Sequence, residues 1–165
     1  MFTKLPLLML FSLVAVFSAV ADEFSLLNEE KIGDFKMGLS ETDLKNKVSC
    51  PLQLEEEQLW GADGIYHQVW KYPACGLSFS MSSAQKGGSK SVDGITVTSP
   101  SVLKTKRGIQ IGSTEKAVTK AYGRDKNTED SVPKETFVAG SLYGGLIFNF
   151  KNNRVTEIFL GASAE

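Results

Sequence analysis

The chain has one histidine, His67, and two cysteines, Cys50 and Cys75. That inventory limits its chemistry. A Ser–His–Asp or Cys–His nucleophile would have to run through His67. The residue sits between Tyr66 and Gln68 in a strand-like run and is predicted to face solvent. A transition-metal site would need Asp and Glu for its other ligands, and no H-x-x-x-H or clustered spacing exists. Glu55-Glu56-Glu57 is the densest acidic run. A glycosidase needs two carboxylates facing each other across a sugar, whereas adjacent residues point apart. The run is expected to be a solvated acidic face. Asp63 lies in Trp60-Gly61-Ala62-Asp63-Gly64, where a carboxylate caps a turn. The pairs Gly87-Gly88 and Gly144-Gly145 follow no phosphate-loop pattern. The expectation is a protein that is not an enzyme and uses no cofactor or metal.

The aromatic residues carry more information. Trp60, Tyr66, Trp70, Tyr72 and Tyr143 fall in predicted strand and turn segments. Tyr66, Gln68, Trp70 and Tyr72 share one strand parity, opposite to Ile65, His67, Val69 and Lys71. Trp and Tyr are the residue types that dominate protein-binding hot spots. These five aromatics are therefore the candidate partner-binding set, although Trp70 packed beneath the helices is an equal reading.

The elements that hold these residues belong to an ordinary globular chain. It has 165 residues, 42% hydrophobic and 22% charged, which excludes a disordered tail and a polytopic membrane protein. A formal net charge of −1 gives no reason to expect a nucleic-acid partner. Residues 1–21 have the layout of a secretory signal: Lys4, an apolar middle from Leu5 to Phe17, and Ala19-Val20-Ala21 before the expected cleavage at Asp22. The apolar run is short for a spanning helix and contains Pro6. A periplasmic or secreted protein is expected, with no integral membrane segment after cleavage. In that oxidising setting Cys50 and Cys75 have one possible intramolecular partner each, and their spacing is far from C-x-x-C. A structural disulfide is expected. Closing a loop of about 26 residues stabilises by roughly 3–4 kcal/mol on the chain-entropy model.

The chain also contains one pattern twice. Phe35-x-Met37-Gly38-x-Ser40-Glu41-x-x-Leu44 matches Ile109-x-Ile111-Gly112-x-Thr114-Glu115-x-x-Val118. Further on, Gly76-Leu77-x-Phe79 matches Gly145-Leu146-x-Phe148 in the same order. Such order points to an internal duplication. In each copy Ser40 or Thr114 stands where a helix N-cap belongs. Leu44 and Val48, then Ala117, Val118, Ala121 and Tyr122, fall on helical faces behind it. Strands are predicted at 65–72, 77–81 and 94–98 in the first copy, and at 136–139, 146–150 and 155–160 in the second. The stretch 52–60 fits either a short helix or a strand. Lys151-Asn152-Asn153-Arg154 is a hairpin tip, because Asn tolerates positive φ. Lys104, Lys106, Arg107, Lys86 and Lys90 read as ordinary surface charge. The expected organisation is a first repeat over 22–98, a polar linker over 99–107 and a second repeat over 108–165. The expected class is α+β, with short helices on one face of an antiparallel sheet.

This pattern resembles the β-lactamase inhibitor protein-like fold, whose single-copy unit is related to small outer-membrane-assembly lipoproteins. The carriers are Gly38, Ser40, Trp70, Tyr72, Pro73, Gly76, Leu77 and Phe79, then Gly112, Thr114, Gly145, Leu146 and Phe148. The likeness spans nearly all of 32–161. It implies two lobes whose sheets together offer a concave, aromatic-bearing surface, which in the inhibitor grips an enzyme. Cys50 and Cys75 fall where that family places a bridge. The chain departs from the family in having no cysteines in the second copy and no acidic residue in Tyr72-Pro73-Ala74. The expected function is an exported, non-catalytic module that binds another protein, as an inhibitor of a periplasmic or secreted enzyme does. The alternative is an accessory of envelope assembly or the cell wall.

Overall fold

The computed structural model describes residues 25–163. The segment read as a secretory signal, 1–21, lies outside them. The chain forms α1 (Ser25–Glu29), α2 (Glu41–Lys47), β1 (Gln53–Leu54), β2 (Gln58–Leu59), β3 (Tyr66–Tyr72), β4 (Leu77–Ser83) and β5 (Ser91–Thr98). It continues with α3 (Glu115–Tyr122), β6 (Lys126–Val132), β7 (Thr136–Ser141), β8 (Gly144–Lys151) and β9 (Arg154–Gly161). All strands belong to one antiparallel sheet of order β1-β3-β4-β5-β9-β8-β7-β6, with β2 also paired to β3. The ambiguous stretch 52–60 resolves into two short edge strands. Strand β6 was not foreseen, since its sequence, KNTEDSV, has no apolar alternation.

Alternation fixes which side of the sheet is inside. Two rows of directly paired residues run across six strands. One is Trp70, Phe79, Ile95, Leu160, Leu146, Ala139; the other is Tyr72, Leu77, Val97, Ile158, Phe148, Phe137. Every member is buried. Leu44 of α2 and Val118 and Tyr122 of α3 join the same core. A single apolar core under one continuous sheet is thus built from both halves of the chain.

Both longer helices start as their sequences imply. Ser40 Oγ accepts from the Asp43 N–H at 3.1 Å, and Thr114 Oγ1 accepts from the Ala117 N–H at 3.1 Å. Such caps satisfy backbone donors that lack helical partners. Each start is also stitched to the sheet. Gly38 N–H donates to Val92 O (2.7 Å) and Val92 N–H to Leu39 O (2.9 Å). Likewise Gly112 N–H donates to Val155 O (2.8 Å) and Val155 N–H to Ser113 O (2.9 Å). Gly38 and Gly112 have φ of +73° and +85°, a turn that side chains oppose.

Cys50 and Cys75 form the disulfide, with Cα atoms 6.0 Å apart. It ties the segment after α2 to the turn between β3 and β4. The segment 99–107, expected as a linker, is docked along the chain. Gly33 N–H donates to Lys104 O, Lys106 N–H donates to Lys31 O, and Thr105 is buried. Arg107, read as ordinary surface charge, is partly exposed and pairs with Glu30 and Asp125. Glu57 is not a solvated acid either. It pairs with Lys90 Nζ (2.6 Å) and accepts from the Gly87 N–H (2.8 Å), which clamps the β4–β5 hairpin tip and holds its carboxyl below the usual range.

Candidate functional site

The helices cover one face of the sheet. The other face carries three rows of side chains by register. They are Val69, Ser80, Gly94, Gly161, Gly145, Gly140; then Lys71, Ser78, Thr96, Phe159, Ile147, Val138; then Thr98, Glu157, Asn149, Thr136. Only Lys71 and Glu157 are charged in these rows. Lys71 pairs with Glu55, and Glu157 accepts from Asn149 Nδ2 at 2.8 Å. Phe159 lies over the central glycines: a Cβ placed on Gly161 would stand 2.8 Å from its ring, and one on Gly94 3.4 Å. The centre of this face is therefore hydroxyl- and amide-bearing, with Phe159 and Ile147 half-buried in it.

His67 stands at the rim of the same face, opposite Ser82. It does not face open solvent, as its strand position suggested; its side chain is only 11% exposed. Nε2 lies 2.7 Å from Asp63 Oδ2, and Nδ1 lies 3.1 Å from Asp93 Oδ2. The Trp60 ring stacks on the imidazole, with centroids 3.8 Å apart and planes 16° from parallel. Three elements assemble this group. The tight turn after β2 is closed by Gly64 N–H to Trp60 O (3.0 Å) and by Ile65 N–H to Asp63 Oδ1 (3.0 Å), as the capped-turn reading expects. Strand β3 supplies His67. A register shift opposite Ser80 and Met81 leaves Asp93 as an extra residue in β5. Such a bulge re-aims a side chain, here toward His67.

The two carboxyls differ in environment. The Ile65 N–H and then His67 hold Asp63 below its ordinary value. Burial pushes Asp93 up, with His67 and Ser82 opposing that rise. Trp60 and His67 form a common wall between two clefts. One, of about 480 Å³, is also bounded by Asp63, Asp93 and Ser80; the other, of about 260 Å³, by Glu55, Glu56 and Gln58.

The five predicted contact residues separate. Trp60 is in the cluster and 37% exposed. Tyr143 is 56% exposed in the β7–β8 turn, on the other flank of the sheet. Tyr66 is half-buried opposite Ser83 at the start of β3. Trp70 and Tyr72 are 3% and 2% exposed, so a partner cannot reach them without unfolding the core. Trp70 Nε1–H donates to Gln68 Oε1 at 2.9 Å, and Lys45 Nζ lies 4.7 Å from its ring centroid. The hydrogen bond satisfies the one polar group of a buried indole, and the ammonium meets the ring's negative face. His67, Asp93, Phe159 and Ile147 went unselected in the sequence. No group of residues arranged to hold a metal ion occurs among the described residues. No helix among them is long and apolar enough to cross a membrane.

Comparison of the chain with protein-family models, with curated proteins and with solved structures finds no match.

Proposed function

We propose that this chain is an exported, non-catalytic module that binds another protein, an enzyme of the periplasm or the secreted milieu, through the sheet face that no helix covers. The observation that carries this reading is the composition of that face. A solvated sheet face ordinarily bears lysines and glutamates. Here Ser78, Ser80, Thr96, Thr98 and Asn149 surround Phe159 and Ile147, and the two charged positions are already engaged. Depletion of charge at the centre of a patch is the compositional mark of a protein interface. Hydroxyl and amide side chains beside aromatics adapt their hydrogen bonding to a partner. The surroundings of His67 speak against a nucleophile activated through it. Both ring nitrogens face carboxylates, so neither is free to take a proton from a nucleophile.

The module is read as a tandem duplication. Ser40 and Thr114 repeat the same cap, Val92 and Val155 repeat the same stitch, and the β3-β4-β5 and β7-β8-β9 runs meet at the β5–β9 pair. Fusion of the two runs produces one wide face. Export is supported by the layout of residues 1–21 and agrees with the disulfide.

Capture from envelope extract on the immobilised protein tests this function, with bound proteins identified by mass spectrometry. One enzyme retained near one-to-one and inhibited on binding is the expected outcome. Retention of membrane-assembly or wall components, or of nothing, contradicts it.

A further inference from the structure

The larger cleft opens at the rim of the uncharged face, and its walls are of two kinds. Trp60, Ile65 and Ala162 give it an apolar side; Asp63, His67 and Asp93 give it a charged one. Two carboxylates face one imidazole there, so an excess negative charge remains even when the imidazole is protonated. No lysine or arginine lines this cleft or the neighbouring one. The Asp63 and Asp93 side chains are 41% and 30% exposed, so a group entering the cleft reaches both carboxyls. An anion would be repelled here, and a purely apolar group would leave the carboxylates unmatched. An aliphatic stem ending in a cation matches both walls.

We propose that this cleft is the socket for a lysine or arginine side chain of the protein bound on the adjoining sheet face. The inference rests on the reading of that face as a binding surface. The stem runs along Trp60 and Ile65, and the cationic head reaches Asp93 and Asp63. His67 stands between the two carboxyls, 2.7 Å from Asp63 and 3.1 Å from Asp93, so the cluster is assembled before the partner arrives, which lowers the ordering cost of binding. A single buried basic anchor of this kind fixes the register of a partner on an otherwise uncharged face.

The test uses N-acetyl-lysine-N-methylamide as probe, with N-acetyl-norleucine-N-methylamide as its uncharged counterpart, each titrated into the purified protein and followed by NMR. The expected result is a saturable shift of the Trp60 indole N–H and the His67 ring signals with the lysine amide alone. Asp93→Asn or Asp63→Asn should weaken it at least about fivefold. An unchanged Trp70 indole signal shows that each variant is folded, and either variant suffices. Equal shifts from both amides, no saturable shift from either, or full affinity in a folded variant overturns the socket. If the amides fail while Thr96→Arg still abolishes partner capture, the socket alone is wrong and the binding face stands.

Discussion

The ring of Trp60 lies flat on that of His67, 3.8 Å between centroids, and the same imidazole bridges Asp63 and Asp93. One side chain on β3 thereby ties an exposed turn to a bulge two strands away. His67→Ala should release the turn over 60–64 and cost about 1 kcal/mol, the scale of an aromatic pair. Hydrogen exchange should quicken at Ile65 and Gly64, whose N–H groups close that turn, and stay unchanged in β8 and β9. Quickening throughout the sheet would mean that His67 is part of the global core.

Trp70 and Thr96 lie on opposite faces of the same sheet, and their replacement should separate packing from recognition. Trp70→Ala should lower stability by about 3–5 kcal/mol, as loss of a buried indole does. Thr96→Arg should stay within about 0.5 kcal/mol of the parent, as surface changes usually do. Urea midpoints for the two variants check both values.

Reduction of Cys50–Cys75 should cost about 2–5 kcal/mol, since the bridge constrains the unfolded chain. The loss should reappear in the Cys50→Ala, Cys75→Ala double variant. A reductant effect that persists in that variant would point away from the bridge.

Stability should fall at both ends of the pH scale for different reasons. Asp63 is held below its ordinary 3.8 by the Ile65 N–H and His67. Its contribution is complete above that value and is lost as pH drops through the lowered folded one. Asp63→Asn should flatten the acid limb. Tyr122 is raised well above its ordinary 10.0 by burial. Its contribution is complete below 10.0 and fades as pH climbs toward the folded value, so Tyr122→Phe should flatten the alkaline limb. Urea midpoints across pH, parent against variant, check each sign.

Much of this architecture is legible in the residues. Ser40 and Thr114 are followed by apolar positions at helical spacing, and Leu77-x-Phe79-x-Met81 alternates with serines. Such local patterns need only neighbours in sequence. Trp70 and Tyr72 show the limit. Parity groups them with Tyr66 and Gln68 but cannot say which parity faces inward when both sets contain large side chains. Burial was decided by Phe79, Leu77 and the rows beyond them, contacts that depend on the β5–β9 pairing. The His67 cluster was hidden for a sharper reason. Asp93 reaches it through one inserted residue, which breaks the alternation that would otherwise place it.

The most direct test of the binding face is the affinity of the captured enzyme for two charge variants of equal stability, measured by calorimetry. Thr96→Arg puts a cation at the centre of the uncovered face, and Lys116→Glu reverses a charge on the exposed side of α3. We expect Thr96→Arg to weaken binding by at least about a hundredfold and Lys116→Glu to leave it within about threefold. Parent-like affinity for Thr96→Arg, with binding lost in Lys116→Glu, would place the interface on the helices and contradict the account.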